Sequence, residues 1–315
     1  MRRALIVGID DYPGAALSGC VNDANRLSAI LARHHDDAPN FSCKTLTSPD
    51  DQLTRAVLRK QIEELFAQPA DAALFYFSGH GTANNLDGYI VTQDAHAYDE
   101  GVAMSEILNR ANDAPIGEVV LVLDCCFSGT LGNVPIAKND AALLREGVSV
   151  LTASRSSELS YETNGSGVFT SLICEALMGG AADVLGRVTV PSIYAYVDQS
   201  LGPWDQRPLF KSHVSRLLPL RHCRPSIALA TLRMLPAYFT TSTAEYRLDP
   251  SYEPLAEPQH DDHERIFANL QKFRAARLLE PVGEEHMYFA AMNSKACRLT
   301  PAGRLYWQLA SDGQL

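Results

Sequence analysis

The sequence predicts an α/β protein: a doubly wound, mostly parallel six-stranded sheet flanked by helices, with a small α+β unit after it. Three observations carry that prediction. Short apolar runs alternate with amphipathic helical stretches up to about residue 213, which is how a chain builds a parallel sheet covered by helices. "EVVLVLD" (118–124) is apolar at five successive positions, as a central strand buried on both faces has to be. After "RHCRPS" (221–226) the alternation stops and the composition changes.

Residues 4–10 (ALIVGID) form a first strand closed by turn residues, and 21–34 place Ala24, Leu27 and Leu31 on one helical face. "FSCKTLT" (41–47) gives the second strand. Ser48-Pro49 is expected to start a helix carrying Leu58, Ile62 and Leu65, and "AALFYF" (72–77) gives the third strand. The run at 118–124 is the fourth strand and "VSVLTAS" (148–154) the fifth. Residues 168–178 and 190–201 are helices, and "RPLFKSH" (207–213) is the last strand. These elements define a first domain, 1–220.

In the second domain, 221–315, residues 226–235 read as a short helix and 240–262 are rich in Thr, Ser, Pro, Asp and Glu. Residues 263–279 are amphipathic through Ile266, Leu270 and Phe273. A hairpin-like segment and a helix started at Thr300 close the chain. A helix, a hairpin and the closing "LTPAGR" helix resemble a winged-helix module, which implies a regulatory or interaction role.

With 315 residues, 46% hydrophobic and 20% charged, the chain can bury the cores of both domains. A net charge of −10 argues against a protein that binds nucleic acid or anionic lipid by bulk charge. In "MRRALIVGIDDY" the basic pair precedes only four apolar residues before a glycine, so this is a strand and not a signal peptide. No segment approaches the roughly 20 apolar residues that cross a bilayer. Seven cysteines without repeated spacing do not form a disulfide framework, and the expected compartment is the reducing cytoplasm.

The carboxyl ends of parallel strands collect functional groups, because the loops leaving them converge on one edge. Two such ends carry reactive residues. The third strand runs into Ser78-Gly79-His80-Gly81, and the fourth into Asp124-Cys125-Cys126-Phe127-Ser128-Gly129. A free thiol, with a pKa of about 8.5, is mostly protonated at neutral pH and needs a neighbouring imidazole to become a nucleophile. His80 is the histidine placed to serve a cysteine at the next strand end.

The stretches "LSGCVNDANRL", "LFYFSGHGT", "LVLDCCFSGT" and "VSVLTASRSSELSYET" followed by "GVFTSLICEAL" resemble the caspase-like fold of cysteine peptidases, and most closely its bacterial and metacaspase branch. The likeness covers residues 1 to about 215. The metacaspase pattern Asp-X-Cys-His-Ser-Gly places Asp124 first and Cys126 as the nucleophile. Cys125 falls on the variable position, and Phe127 replaces the usual histidine. The resemblance implies a Cys126–His80 dyad, a thioester acyl-enzyme, and an oxyanion held by the backbone N–H groups of Gly81 and Cys126. Such donors are worth about 3 kcal/mol each.

The same resemblance assigns Asp23, Ser78 and Asp124 to the pocket for the residue before the cleaved bond, which selects arginine or lysine. Buried acids need a cation to offset their desolvation, and a substrate side chain can supply it. Residues two apart on an extended segment point to one side, so Asp124 can face the cleft that Cys126 serves. A planar guanidinium fits two carboxylates and a hydroxyl better than an ammonium does. The connection after the fourth strand carries Lys138 and Arg145, where a processing cut is expected.

The remaining cysteines, Cys20, Cys43, Cys174, Cys223 and Cys297, read as structural. "HDDHE" (260–264) lacks the further ligands of a zinc site and reads as a solvated helix start. Calcium-dependent metacaspases carry a paired-aspartate segment after the histidine loop. Here Asp94, Asp99 and Glu100 are scattered acids, so no cofactor and no calcium requirement are expected.

The expected function is a cysteine endopeptidase acting on protein substrates after Arg or Lys, in regulated proteolysis during bacterial defence or stress, with a regulatory protein as a candidate partner of the C-terminal domain. The alternative is a catalytically silent caspase-fold scaffold, or a partner- or DNA-binding regulator acting through that domain. The intact Cys126–His80 pair weighs against a silent scaffold. Residues 222–315 hold ten basic and eleven acidic residues, which is no electrostatic footprint for nucleic acid. Neither is a membrane partner expected.

Overall fold

Strand β1 (Arg2–Gly8) leads into α1 (Cys20–Ala32), β2 (Ser42–Thr47), α2 (Arg55–Phe66) and β3 (Ala70–Ser78). There follow β4 (Gly81–Ala83), β5 (Gly88–His96), β6 (Asp99–Ala103), α3 (Met104–Asp113), β7 (Ile116–Asp124) and β8 (Val148–Thr152). The short β9 (Glu162–Thr163) and β10 (Ser166–Gly167) precede α4 (Val168–Glu175), β11 (Arg187–Val188), α5 (Val190–Ser200), β12 (Leu209–His213) and β13 (Arg221–His222). The structure is a computed structural model, and it describes all residues except 85–86, 97–98, 126–142, 154–161, 164–165, 203–206 and 256.

Six strands form one sheet in the order β12–β8–β7–β3–β1–β2. All neighbours are parallel except β12, which runs antiparallel to β8. From β1 the chain moves outwards to β2, then returns to the other side of β1 for β3. That reversal places a switch point between the carboxyl ends of β1 and β3, where loops diverge and leave a crevice.

Alternation along each strand divides the core into two layers. Ala4, Ile6, Leu74, Tyr76, Val120 and Val122 pack with Leu27 of α1, Ile173 of α4 and Ile193 of α5. Leu5, Val7, Phe75, Phe77, Val119 and Leu121 pack with Leu58 and Ile62 of α2 and Ile107 of α3. Each fully buried Leu, Ile or Phe side chain contributes about 1.5–3 kcal/mol relative to exposure.

The chain divides into two compact units, Met1–Ala182 with Arg187–Arg224, and Asp183–Gly186 with Pro225–Leu315. The second contains α6 (Leu229–Leu232), α7 (Leu235–Tyr238), β14 (Glu245–Arg247), α8 (Asp261–Ala275), β15 (Leu279–Val282), α9 (Met287–Met292), β16 (Ala296–Leu299) and α10 (Pro301–Ser311). Its strands form a sheet in the order β14–β16–β15, over a core that includes Phe239, Phe267, Leu270 and Phe273. Thr300 caps α10, accepting the Gly303 N–H at 3.1 Å.

Several elements differ from the sequence reading. The helix expected from Ser48-Pro49 starts instead at Arg55, capped by Thr54, whose hydroxyl accepts the Val57 N–H. Ser48 is engaged elsewhere: its Oγ accepts the N–H groups of Asp10 and Asp11 and anchors the loop after β1. The segment after His80 folds into an antiparallel sheet β4–β5–β6 and helix α3, neither of which is among the elements expected above. The helix expected at 226–235 is two short ones, and the expected hairpin has α9 inserted between its antiparallel strands β15 and β16. Among the described residues, no helix is long and apolar enough to cross a membrane, and no group of three or more His, Cys, Asp or Glu is placed to hold a metal ion.

Candidate active site

Three strand ends are level at the carboxyl edge of the sheet: Ser78 of β3 pairs with Gly8 of β1 on one side and with Asp124 of β7 on the other. Helix α1 lies close over this edge because Gly8 has no side chain. A Cβ there would meet Cys20 O at 2.3 Å and Ala24 Cβ at 2.8 Å. Asp10 fixes the start of α1, its Oδ1 accepting the Cys20 N–H at 2.8 Å and its Oδ2 the Val21 N–H at 3.3 Å. Asp23, in the first turn of α1, is thereby carried to the strand ends.

Asp23, Ser78 and Asp124 are all buried there, at 1%, 2% and 6% exposure. Gly167 donates its N–H to Asp23 Oδ2 at 2.8 Å, and Thr170 donates its hydroxyl to Asp124 Oδ2 at 2.6 Å. A Cβ on Gly167 would lie 2.6 Å from Asp124 Oδ2 and 3.0 Å from Asp23 Oδ2, so both carboxylates converge on one glycine. Tyr76, two residues before Ser78 and on the same face, reaches Thr170 Oγ1 at 2.7 Å. Burial, then the charges of Asp124 and Asp23, push the Tyr76 phenol well above its ordinary range.

His80 follows Ser78 by two residues and is held on three sides. Its backbone N–H donates to Tyr12 Oη at 3.1 Å, its carbonyl accepts the Val91 N–H at 2.9 Å, and its Nε2 lies 2.7 Å from Ala15 O. A carbonyl only accepts, so Nε2 carries the proton and Nδ1 is the basic nitrogen of the neutral ring. Tyr12 packs its ring on the imidazole with centroids 4.7 Å apart, and its own hydroxyl donates to Val91 O at 3.2 Å. Gly81, the next residue, opens β4 opposite Ile90.

The structure brings Asp23, Ser78 and Asp124 together, with His80 and Gly81 on the chain just beyond. Cys126 and Lys138 lie outside the described residues. Cys125 is fully buried in the core layer of α2 and α3, on the face away from Asp124. Arg145 is half-buried, with its guanidinium donating to the carbonyls of Ala114, Ile116 and Glu146, bonds that a cut after it would have to release. Sequence reasoning passed over Tyr12, Tyr76, Gly167 and Thr170. Tyr76 falls inside the third expected strand and Thr170 inside an expected helix, and Gly167 opens the stretch GVFTSLICEAL, where none of the three carried a role of its own. The available signal was parity: Tyr76 is two residues before Ser78 on one strand.

A sheet of this order, with the histidine and cysteine strands adjacent at its centre, is the caspase fold, and solved structures share it. A protein of Geobacter sulfurreducens matches with TM-score 0.52 and 18% identity, covering 71% of this chain and 99% of that one. Caspase-1 from Spodoptera frugiperda matches with TM-score 0.51 and 14% identity, covering 71% and 90%. The family description "Caspase domain" fits residues 1–219, and the chain belongs to this family of cysteine peptidases. Among curated relatives, Metacaspase-2 of Trypanosoma brucei brucei is 30% identical over 158 residues, 42% of this chain and 43% of that protein. Metacaspase-1 of Candida glabrata is 25% identical over 173 residues, 46% and 41% of the two chains. The chain therefore spans less than half the length of these relatives.

Proposed function

We propose that the chain is a cysteine endopeptidase that cleaves protein substrates after arginine, and less well after lysine, with Cys126 as nucleophile and His80 as its base. Membership of the caspase-domain family supports the chemistry. The observation that carries the specificity is the burial of Asp23 and Asp124 side by side with Ser78. Two carboxylates this close repel one another, and a guanidinium entering beside them relieves that repulsion by donating to carboxylate oxygens. His80, fixed through Nε2 to Ala15 O, takes the thiol proton at Nδ1. The thiolate attacks the scissile carbonyl, and the N–H groups of Gly81 and Cys126 hold the oxyanion. The imidazolium then protonates the leaving amine, and water hydrolyses the thioester.

No calcium requirement belongs to this reading. Asp94 accepts the Thr92 hydroxyl and the Arg55 N–H, and Asp99 is ion-paired with Arg55, so both acids serve the join between α2 and the β5–β6 pair. The unit around Pro225–Leu315 is assigned a regulatory or partner-binding role, and the chain a cytoplasmic one in defence or stress proteolysis, with processing after Lys138 or Arg145.

Fluorogenic peptides that differ in the residue before the cut test the reading. The wild type is expected to prefer arginine to lysine, Cys126→Ala to be inactive, and Cys125→Ser to keep most activity. Asp124→Ala should lower kcat/KM for arginine peptides about 30-fold or more, as loss of one partner from a buried charge pair does. Cleavage after aspartate, or an Asp124→Asn variant as fast as wild type, would refute the specificity.

A further inference from the structure

His80 stands where the ladder between β4 and β5 runs out. Gly81 pairs with Ile90, so the next antiparallel pair in register is His80 with Val91. A hydrogen-bonded pair of this kind ordinarily exchanges two direct bonds. Half of the exchange is made, with the Val91 N–H donating to His80 O at 2.9 Å. The other half is not direct. Tyr12 Oη accepts the His80 N–H at 3.1 Å and donates to Val91 O at 3.2 Å, so one hydroxyl stands in the rung and bridges it. Tyr12 is buried, and burial pushes its phenol well above the ordinary range, which keeps on the oxygen the proton that the bridge needs. Room for the hydroxyl comes from Gly79, where a Cβ would collide with Tyr12 Oη.

The same residue reaches the ring of the histidine. Its own ring lies against the imidazole, with centroids 4.7 Å apart and planes tilted by 55°. Its backbone carbonyl accepts the Ala15 N–H at 3.2 Å, closing a turn over Tyr12-Pro13-Gly14-Ala15. Proline in the second place and glycine at φ 78° in the third suit a type II turn. That turn presents the Ala15 carbonyl to His80 Nε2, 2.7 Å away.

We infer that Tyr12 is a positioning residue for His80: its hydroxyl wedges open the last rung of the ladder and sets the backbone of the histidine, while its turn supplies the carbonyl that fixes the ring. The role rests on the reading of His80 as the base for Cys126. Without the hydroxyl, the rung can close directly from the His80 N–H to Val91 O, drawing in the main chain of the histidine and swinging Nδ1 away from its working position. A misplacement of about 1 Å costs up to about a hundredfold in rate.

The test compares the full chain as wild type, Tyr12→Phe, Gly14→Val and His80→Ala. Phenylalanine keeps the ring and removes only the bridge. A Cβ on Gly14 meets nothing within 4 Å, so valine there strains the turn through its backbone alone. Two readouts are taken: kcat and KM on an arginine peptide, and the rate of Cys126 alkylation by iodoacetamide over about pH 5 to 9, with Cys126→Ala as the blank. Tyr12→Phe and Gly14→Val should each lose about tenfold or more in kcat, with KM within about twofold of wild type. Their alkylation profiles should shift towards that of His80→Ala, because a thiol without its base titrates as a free one.

A Tyr12→Phe enzyme with the kcat and the alkylation profile of wild type overturns the inference. So does a loss of kcat in both variants with the alkylation profile unmoved, because the loss then does not pass through His80. Should Tyr12→Phe fail to fold, Gly14→Val decides by the same two readouts. A His80→Ala enzyme as active as wild type removes the reading of His80 as the base, and this inference with it, whatever Tyr12→Phe does.

Discussion

A methyl group on Gly167 would collide with both carboxylates of the acid cluster, at 2.6 Å from Asp124 Oδ2 and 3.0 Å from Asp23 Oδ2. Gly167→Ala is therefore expected to cost about tenfold or more in kcat/KM for arginine peptides, the effect of displacing a charged hydrogen-bonding partner. Alkylation of Cys126 should continue at the wild-type rate, and a variant that cleaves arginine peptides normally would show that the cluster is not the specificity pocket. Burial first, and then the Asp124 and Asp23 charges, hold the Tyr76 phenol above its ordinary 10.0. Its folded-state pKa is raised, so its contribution to stability is complete below pH 10 and is lost as the pH rises beyond it, where the unfolded chain releases the proton and the folded one does not. Tm measured over about pH 8 to 11 should fall at the alkaline end, less steeply in Tyr76→Phe. The buried Cys174 thiol, pushed up to about 12 chiefly by desolvation, stays protonated throughout the neutral range.

The fit of α1 on β1 decides where Asp23 stands. Gly8→Ala would drive a Cβ to 2.3 Å from the carbonyl oxygen of Cys20, a backbone atom that moves only with the helix. The expected outcome is about 1–3 kcal/mol of lost stability, seen as a lower Tm, and a raised KM for arginine peptides as Asp23 withdraws. All six strands of the large sheet were legible in the sequence because each is an apolar run or a strand bounded by turn residues, and the ends of β3 and β7 displayed their reactive residues. The antiparallel β4–β6 sheet was not legible: it is tied down by side chains such as that of Gln93 in β5, whose Oε1 accepts the Leu53 N–H and whose Nε2 donates to Asp11 O, contacts that no local pattern announces. The false helix start at Ser48-Pro49 has a physical reason too, since the serine hydroxyl serves the backbone of the preceding loop and Thr54 takes over the cap. Asp23, Ser78 and Asp124 could be named from motifs, whereas Thr170 comes from a helix 46 residues after Asp124 and looked like any small core residue.

Across the whole molecule, the larger unit contains every residue assigned a catalytic or specificity role, and its six-stranded sheet closes before residue 214. The smaller unit is not continuous in the chain. Asp183–Gly186 belongs to it, although some forty residues of the larger unit separate that segment from Pro225. Val184 and Leu185 pack against its core, and Ser226 N–H donates to Val184 O at 3.1 Å. A fragment of residues 225–315 should therefore melt at a lower temperature than the same fragment with residues 183–186 joined to it by a flexible linker, and equal melting temperatures would show that the excursion contributes nothing. The consequence reaches inheritance as well as stability. A recombination breakpoint between 224 and 225 would hand on every helix and strand of the smaller unit and leave part of its core behind, so this region cannot be exchanged between proteins as a single cassette.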